Sequence, residues 1–379
     1  MPVQKLTIQQ FIELSYQYPV LDVRSPGEYN HAHIPGAYSL PLFTDEERKV
    51  VGTTYKQQSR EKAIKVGLDY FGVKMRKMVE EVEALVDGRS SLAGKKLHSA
   101  NGQPTTANLL VHCWRGGMRS AGVAWLLDLY GFKVYTLVGG YKTYRKWVRE
   151  QFEIHYNLTV LGGYTGSGKT EVLHQLKAKG KPVIDLEALA KHKGSAFGAL
   201  DEHKQPTQEM FENLLAEKLF EILESAKASS TGGALEGAWI EDESQRIGNL
   251  QIPMPFWYTL RKSSVCFIEI PFEERLNYLT NEYGKFGKEK LINAIIRIQK
   301  RLGGLETKNA VNFLLEDNCK ECFRILLKYY DKWYTKGLYN RDNPEALLNK
   351  FQFDKVDAKQ IASSLMNKVT VFNKPRAVP

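Results

Sequence analysis

Two stretches of this chain carry residue types at spacings that can do chemistry. The first is Leu109-Leu-Val-His-Cys-Trp-Arg-Gly-Gly-Met-Arg-Ser120. Its apolar start predicts a short strand ending at His112-Cys113, and a helix is expected from about Arg119-Ser120. Cys113 then sits at a strand end, under a glycine-containing loop (Trp114, Arg115, Gly116, Gly117), at a helix N-terminus. Inward N–H groups, the helix dipole and the charges of Arg115 and Arg119 each stabilise a thiolate. The setting is that of a nucleophile rather than of an inert buried thiol.

The second stretch is Gly162-Gly-Tyr-Thr-Gly-Ser-Gly-Lys-Thr170. It follows the apolar run Leu158–Leu161 and precedes a helical pattern, Glu171–Lys177. Gly163, Gly168, Lys169 and Thr170 fit G-x-x-x-x-G-K-[ST] in the strand–loop–helix context a phosphate cradle requires. Gly163, Thr165, Gly166, Ser167, Gly168, Lys169 and Thr170 are the candidate phosphate or diphosphate ligands. Backbone N–H groups and the helix start favour an anion there. Lys169 would reach the outer phosphate, and Thr170 would serve a magnesium ion if one binds. The loop alone leaves open a nucleotide, a diphosphate ester or an RNA end.

The elements around these stretches predict two α/β domains, 1–150 and 151–379. A chain of 379 residues accommodates two cores. In the first domain, Thr7 introduces a helix, and Pro19–Val23 is a buried strand. Asp22, Arg24 and Glu28 form a local polar cluster, read as structural because the adjoining turn needs pinning. His33, before Ile-Pro-Gly, reads as a turn-fixing donor. Residues of about 45–105 interrupt the pattern as a helical insertion, with Val79, Val82, Leu85 and Val86 in an apolar stripe. Lys49, Lys56, Arg60, Lys62 and Lys65 make that insertion basic, as a solvated face or a contribution to an RNA surface.

The second domain continues through a strand ending at Asp185 and Glu187, where an acceptor site and a helix cap are both open readings. His192–Gly198 is a glycine-punctuated loop, and Thr207 caps a long helix. A strand to Ile240 ends in Glu241-Asp-Glu-Ser-Gln-Arg-Ile-Gly248. Asp185, Glu241, Glu243, Arg246 and Arg301 are the candidate substrate-binding residues. Lys285–Arg301 is basic and helical, as a lid over the phosphates or as an RNA contact. Cys319 and Cys322 lack the partners of a zinc site and read as helix core. The chain ends in a helical segment.

Composition bounds the rest. Hydrophobic content of 43% and charged content of 25% fit a globular protein. A net charge of +10 favours a polyanionic partner. Four cysteines are no disulfide framework. No apolar run approaches the ~18 residues of a membrane span. A cytoplasmic protein with no membrane contact is expected.

Residues 1–150 resemble a rhodanese domain, through Asp22-Val-Arg-Ser-Pro-Gly-Glu-Tyr29, His33-Ile-Pro-Gly36 and the Cys113 loop with Arg119-Ser120. Followed directly by the phosphate-loop domain, the whole resembles the tRNA 2-selenouridine synthase family. Cys113–Ser120, Gly162–Thr170, His192–Gly198 and Glu241–Gly248 carry the likeness. The implied fold is a rhodanese-like α/β domain with a helical insertion, then a P-loop NTPase-like α/β domain. The implied reaction converts 2-thiouridine at the tRNA wobble position to 2-selenouridine, with selenophosphate as donor and an S-geranyl intermediate made from geranyl diphosphate. Cys113, Arg119 and Lys169 would be catalytic. Cys113 would hold selenium as a perselenide, and Lys169 would stabilise the departing diphosphate. Trp239, Phe256, Trp257 and Tyr258 are candidates to line a geranyl pocket. tRNA is the implied partner, with a selenophosphate supplier as a further one. His112-Cys113 with Arg119 also fits H-C-x-x-x-x-x-R-S, so a phosphatase stays open beside a sulfurtransferase. A small-molecule kinase and a non-catalytic RNA-binding scaffold are the remaining alternatives.

Overall fold

A computed structural model describes residues 3–92, 107–193, 204–228 and 237–372. The sequence also reads as a loop over 88–107, a loop over 229–233 and a tail from Asn373; residues 93–106, 229–233 and 373–379 lie outside the described residues, as do residues 194–198 of the His192 loop, while residues 88–92 are helical rather than loop. The chain divides into two compact units, Met1–Glu150 and Gln151–Pro379.

The first unit begins with β1 (Gln4–Leu6) and α1 (Ile8–Ser15). Thr7 opens α1 through a reciprocal capping box with Gln10. β2 (Val20–Asp22), α2 (Pro26–His31) and β3 (Tyr38–Ser39) follow. Three helices then intervene, α3 (Asp45–Gln57), α4 (Arg60–Gly72) and α5 (Met75–Leu92). Phe71, Met78, Val79, Val82 and Val86 pack them onto the sheet core with Leu21, Leu109 and Val111. β4 (Asn108–His112), α6 (Met118–Tyr130), β5 (Lys133–Leu137) and α7 (Gly140–Gln151) complete the unit. The sheet is parallel, in the order β1-β5-β4-β2-β3. β4 is apolar on both faces because helices cover both sides of a parallel sheet. Its C-terminal end delivers Cys113.

The second unit is a second parallel sheet. It comprises β6 (Leu158–Gly163), α8 (Lys169–Ala178), β7 (Val183–Ile184), α9 (Leu186–Ala190), α10 (Gln208–Ala228) and β8 (Ala238–Glu241). A small antiparallel hairpin, β9 (Arg246–Ile247) with β10 (Leu250–Gln251), precedes α11 (Met254–Lys262) and β11 (Ser264–Glu269). Four helices follow, α12 (Phe272–Tyr283), α13 (Lys288–Leu302), α14 (Gly304–Leu315) and α15 (Cys319–Tyr339). α16 (Pro344–Leu347), β12 (Leu348–Gln352) and α17 (Ala358–Phe372) end the unit. The strand order is β12-β11-β6-β8-β7. β6 is central, and the phosphate loop leaves its C-terminal end, where ligands of open parallel sheets bind.

α12–α15 form a core of their own. Leu291, Ala294, Ile295 and Leu302 of α13 pack against Cys322, Phe323, Leu326 and Leu327 of α15. α13 is a packed member of that bundle, with its apolar face buried. Cys322 lies in that core and Cys319 packs against it. Among the described residues, no helix is long and apolar enough to cross a membrane.

α8 anchors the phosphate loop to the sheet through Val172, Leu173 and Leu176, all buried in the core with Leu161, Ile268 and Ile361. Leu173→Ala should lower the stability of the second unit by about 2–5 kcal/mol. Urea melts of the wild type and the variant measure this, and an unchanged midpoint would remove α8 from the core.

Candidate active sites in the two units

In the first unit, Cys113 is buried at the floor of an exposed loop, Trp114–Gly117. The loop is shaped from behind. Gly116 and Gly140 both have positive φ, and each fills space the other needs. A Cβ on Gly140 would meet the Cys113 carbonyl oxygen at 2.3 Å and the Gly116 nitrogen at 2.4 Å; one on Gly116 would meet the Leu137 carbonyl oxygen at 2.5 Å. Only glycine supplies both the conformation and the close approach. The Tyr141 and Lys142 N–H groups donate to the carbonyls of Cys113 and Trp114 at 2.8 and 3.0 Å.

The Cys113 Sγ lies 3.2 Å from Ser120 Oγ. Burial alone would push the thiol up. The Ser120 hydroxyl, the Ser120 N–H, the Arg119 charge and the Arg115 N–H outweigh it and bring the thiol below its ordinary value. Burial instead drives Cys266 and Cys322 up to about 12. Cys113 is thus the activated thiol of the three.

Below the loop, Arg24 binds Asp22 through Nε and NH2 at 2.9 and 2.6 Å and donates to the Ala32 carbonyl at 2.7 Å. Its guanidinium lies 3.7 Å over the Tyr141 ring. Glu28 adds its charge to that pair, but its hydrogen bonds lie elsewhere. Its carboxylate accepts from Arg119 at 2.8 Å, from Arg48 of α3 at 2.9 Å and from the Ser25 N–H at 3.1 Å. Glu28 therefore orients Arg119 toward the loop's flank. His33 Nδ1 meets the Tyr29 carbonyl at 2.9 Å, as a turn-fixing group should.

In the second unit, Gly166 and Gly168 take positive φ, at 81° and 72°. Lys169 Nζ donates to the Gly163 carbonyl at 2.8 Å and lies 5.5 Å from the Tyr334 ring centre. The Gly163 N–H donates to the Tyr334 hydroxyl at 3.1 Å, and that hydroxyl donates to Asp242 at 2.8 Å. Arg341 completes the chain on Asp242 and on the Leu260 carbonyl. Arg275, buried, donates to the Thr165 carbonyl at 3.0 Å and clasps Asp331 of α15. Tyr334, Asp242, Arg341, Arg275 and Asp331 are absent from the residues expected above. The local signals were a tyrosine-rich helix and the acidic run after β8, neither of which names its partner.

Carboxylates line the other side. Thr170 Oγ1 donates to Glu187 at 3.1 Å, and the Glu187 N–H donates to Glu241 at 2.7 Å. Burial, then neighbouring carboxylates, push Glu241 well up. Glu243 rises to about 8, through burial and then Glu187, against Lys169. Proton uptake by such groups relieves their repulsion of a bound anion. Among the described residues no three His, Cys, Asp or Glu side chains converge to hold a metal ion.

Other expected residues are placed differently. Asp185 caps α9 by accepting from the Ala188 N–H at 2.7 Å and faces His174 at 3.2 Å, so the cap reading holds and Glu187 faces the loop. Arg246 donates to the Gly248 carbonyl within the hairpin, and Arg301 bonds Tyr329. Neither is bonded to a loop residue among the described residues. Trp239, Phe256, Trp257 and Tyr258 do not form one pocket. Trp239 is sheet core, Phe256 packs on Phe152 and Tyr156, Trp257 lies under Arg261, and Tyr258 is 57% exposed. The aromatics that gather at the loop are Tyr164, Phe267 and Tyr334, with centroids 5.1–6.1 Å apart.

Two family models match the chain: a rhodanese-like domain over residues 7–146, and a tRNA 2-selenouridine synthase AAA domain over residues 156–287. A tRNA 2-selenouridine synthase of Bdellovibrio bacteriovorus is 34% identical over 365 residues, covering 85% of this chain and 89% of that protein. One of Hydrogenovibrio crunogenus is 33% identical over 348 residues, covering 83% and 88%. One of Nitrosomonas europaea is 36% identical over 271 residues, covering 70% and 63%.

A depressed thiol pKa means that Cys113 loses its proton at lower pH than an ordinary thiol. Its iodoacetamide rate should rise through an inflection below the ordinary thiol value, and Ser120→Ala should move that inflection upward. Peptide mapping after pulsed alkylation reads this, and an inflection unmoved by Ser120→Ala would exclude the hydroxyl as the stabilising group. In the second unit, Tyr334→Phe strips the Gly163 N–H of its acceptor. It should weaken inorganic diphosphate binding by roughly 5-fold, the worth of about one hydrogen bond, as calorimetry would show.

Proposed function

Because the chain belongs to the tRNA 2-selenouridine synthase family, we propose that it exchanges the sulfur of wobble 2-thiouridine for selenium in two steps, one served by each unit. The observation that carries this reading is that each sheet ends in an anion cradle of different chemistry. One surrounds a thiolate, at Cys113, and the other an ammonium, at Lys169.

In the first step the phosphate loop takes the diphosphate of geranyl diphosphate. The thiocarbonyl sulfur of the base attacks C1 of the geranyl group, the C–O bond breaks, and diphosphate leaves with the electron pair. The base loses its N3 proton to water. Loop N–H groups and Lys169 stabilise the charge that develops on the leaving group. Tyr164 and Tyr334, with Phe267 packed behind them in the core, offer the geranyl chain an aromatic wall, in place of the dispersed tryptophans.

In the second step selenophosphate supplies selenium. Selenium there is at the selenide level, so a perselenide on Cys113 would need a two-electron oxidant. The balanced route has the Cys113 thiolate attack phosphorus: an S–P bond forms, the P–Se bond breaks, and selenide leaves with the electron pair. Selenide attacks C2 of the S-geranylated base and geranyl thiolate departs. Water then cleaves the S–P bond, releasing phosphate and restoring the thiolate. The loop N–H groups and Arg119 hold the phosphoryl oxygens, and the Ser120 hydroxyl stabilises the thiolate as it leaves.

Nucleosides from tRNA of cells lacking the gene, rescued by single variants, test both steps. Cys113→Ala should accumulate S-geranyl-2-thiouridine and make no 2-selenouridine. Lys169→Ala should lose geranylation by roughly 100-fold or more, as for removal of a transition-state charge partner. Normal 2-selenouridine from both variants would overturn the assignment.

A further inference from the structure

We propose that the outer face of α15 is the RNA seat of the second unit, and that it takes a single-stranded loop by its phosphates and one unpaired base. The inference rests on the tRNA reading above and deepens it.

α15 carries a basic residue at every fourth position: Lys320, Arg324, Lys328, Lys332 and Lys336. Its acidic residues are Glu321 and Asp331. Like charges four apart destabilise a helix, so the row has no merit as a helix device. Its first half is neutralised: Arg324 is held by Glu273 and Glu321. Its second half is not. Lys328, Lys332 and Lys336 are exposed and make no close ion pair among the described residues, Lys328 alone lying within the field of Glu273. The one acidic residue of that half, Asp331, is committed to Arg275.

Aromatic surface accompanies these lysines. Trp333 is 45% exposed, with its ring 6.4 Å from that of Tyr329 and the Lys336 ammonium 5.4 Å above it. An exposed indole beside ammonium groups, with Lys336 free to swing from the ring to a phosphate, can stack a base and hold its backbone. Successive lysines lie about 6 Å apart along the axis, so the three span about 12 Å. The opposite side of α15 braces the phosphate loop, through Tyr334 on the Gly163 N–H and through Asp331, Arg275 and Thr165. RNA seated on α15 is thus about one helix diameter, ~10 Å, from the diphosphate cradle.

The test uses the full chain with unmodified tRNA and with a hairpin RNA bearing a single-stranded loop. Binding is followed against salt. The triple variant Lys328→Ala, Lys332→Ala, Lys336→Ala should reduce the magnitude of the slope of log K against log salt by about 2–3. Trp333→Ala should weaken hairpin binding roughly 10-fold, and Trp333→Phe should restore most of it. Inorganic diphosphate binding should be unchanged in all of these, which separates a lost seat from a misfolded unit. A control triple, Lys49→Ala, Lys56→Ala, Lys62→Ala, should keep the wild-type response to Trp333→Ala. Wild-type affinity and slope in the α15 triple would overturn this seat alone and leave the face to another partner. Failure of the wild type to bind tRNA at any salt would overturn the tRNA reading and the seat together.

Discussion

Everything in the second unit depends on one hydrogen-bonded phenol. The N–H of Gly163 is a backbone donor at the base of the phosphate loop, and a buried donor without a partner costs about 1–3 kcal/mol. Its partner is Tyr334, which lies 171 residues further along the chain. Burial, then the carboxylate of Asp242, keeps the phenol protonated, so it accepts from the loop and donates to Asp242. Arg341 fixes Asp242 in turn. The loop is therefore set by the helical bundle as much as by the sheet.

The two cradles solve the same electrostatic problem with opposite means. Around Lys169 the protein places one ammonium among carboxyl groups that burial inclines to protonation. Around Cys113 it places a nascent anion among donors, with Arg119 held at the flank by Glu28. In the first the protein's own negative charge is muted so that a polyanion can enter. In the second its positive charge is muted, so that Arg119 steadies the thiolate without being free to wander.

Both cradles were legible in the residues because their chemistry is local. Cys113 and Lys169 each lie between an apolar strand and a helix, Cys113 at the strand's end and Lys169 at the helix's start, and glycine marks the turn between. The fold class followed from the same alternation of strand and helix, and Thr7 and Thr207 announced helix starts that the structure contains. What could not be read was partnership at a distance. No spacing rule joins Gly163 to Tyr334 or Thr165 to Arg275. Glu28 seemed close to Arg24 in sequence, yet Arg119 and Arg48 claim it. By residue type alone, Trp239 of β8 and Phe256, Trp257 and Tyr258 of α11 suit an apolar ligand; whether an aromatic fills a core or lines a pocket is decided by packing, which composition does not encode. The capping role of Asp185 was one of two readings the sequence left even, and only backbone geometry separates them.

The mutual fit of Gly116 and Gly140 means that the nucleophile loop is not a transplantable module. Its conformation is written half in residues 113–117 and half in the turn between β5 and α7, more than twenty positions later. Variation in either half is constrained by the other, so the two should drift through sequence space as a coupled pair. Grafting the loop onto another parallel sheet would carry the cysteine across without the wall that shapes it.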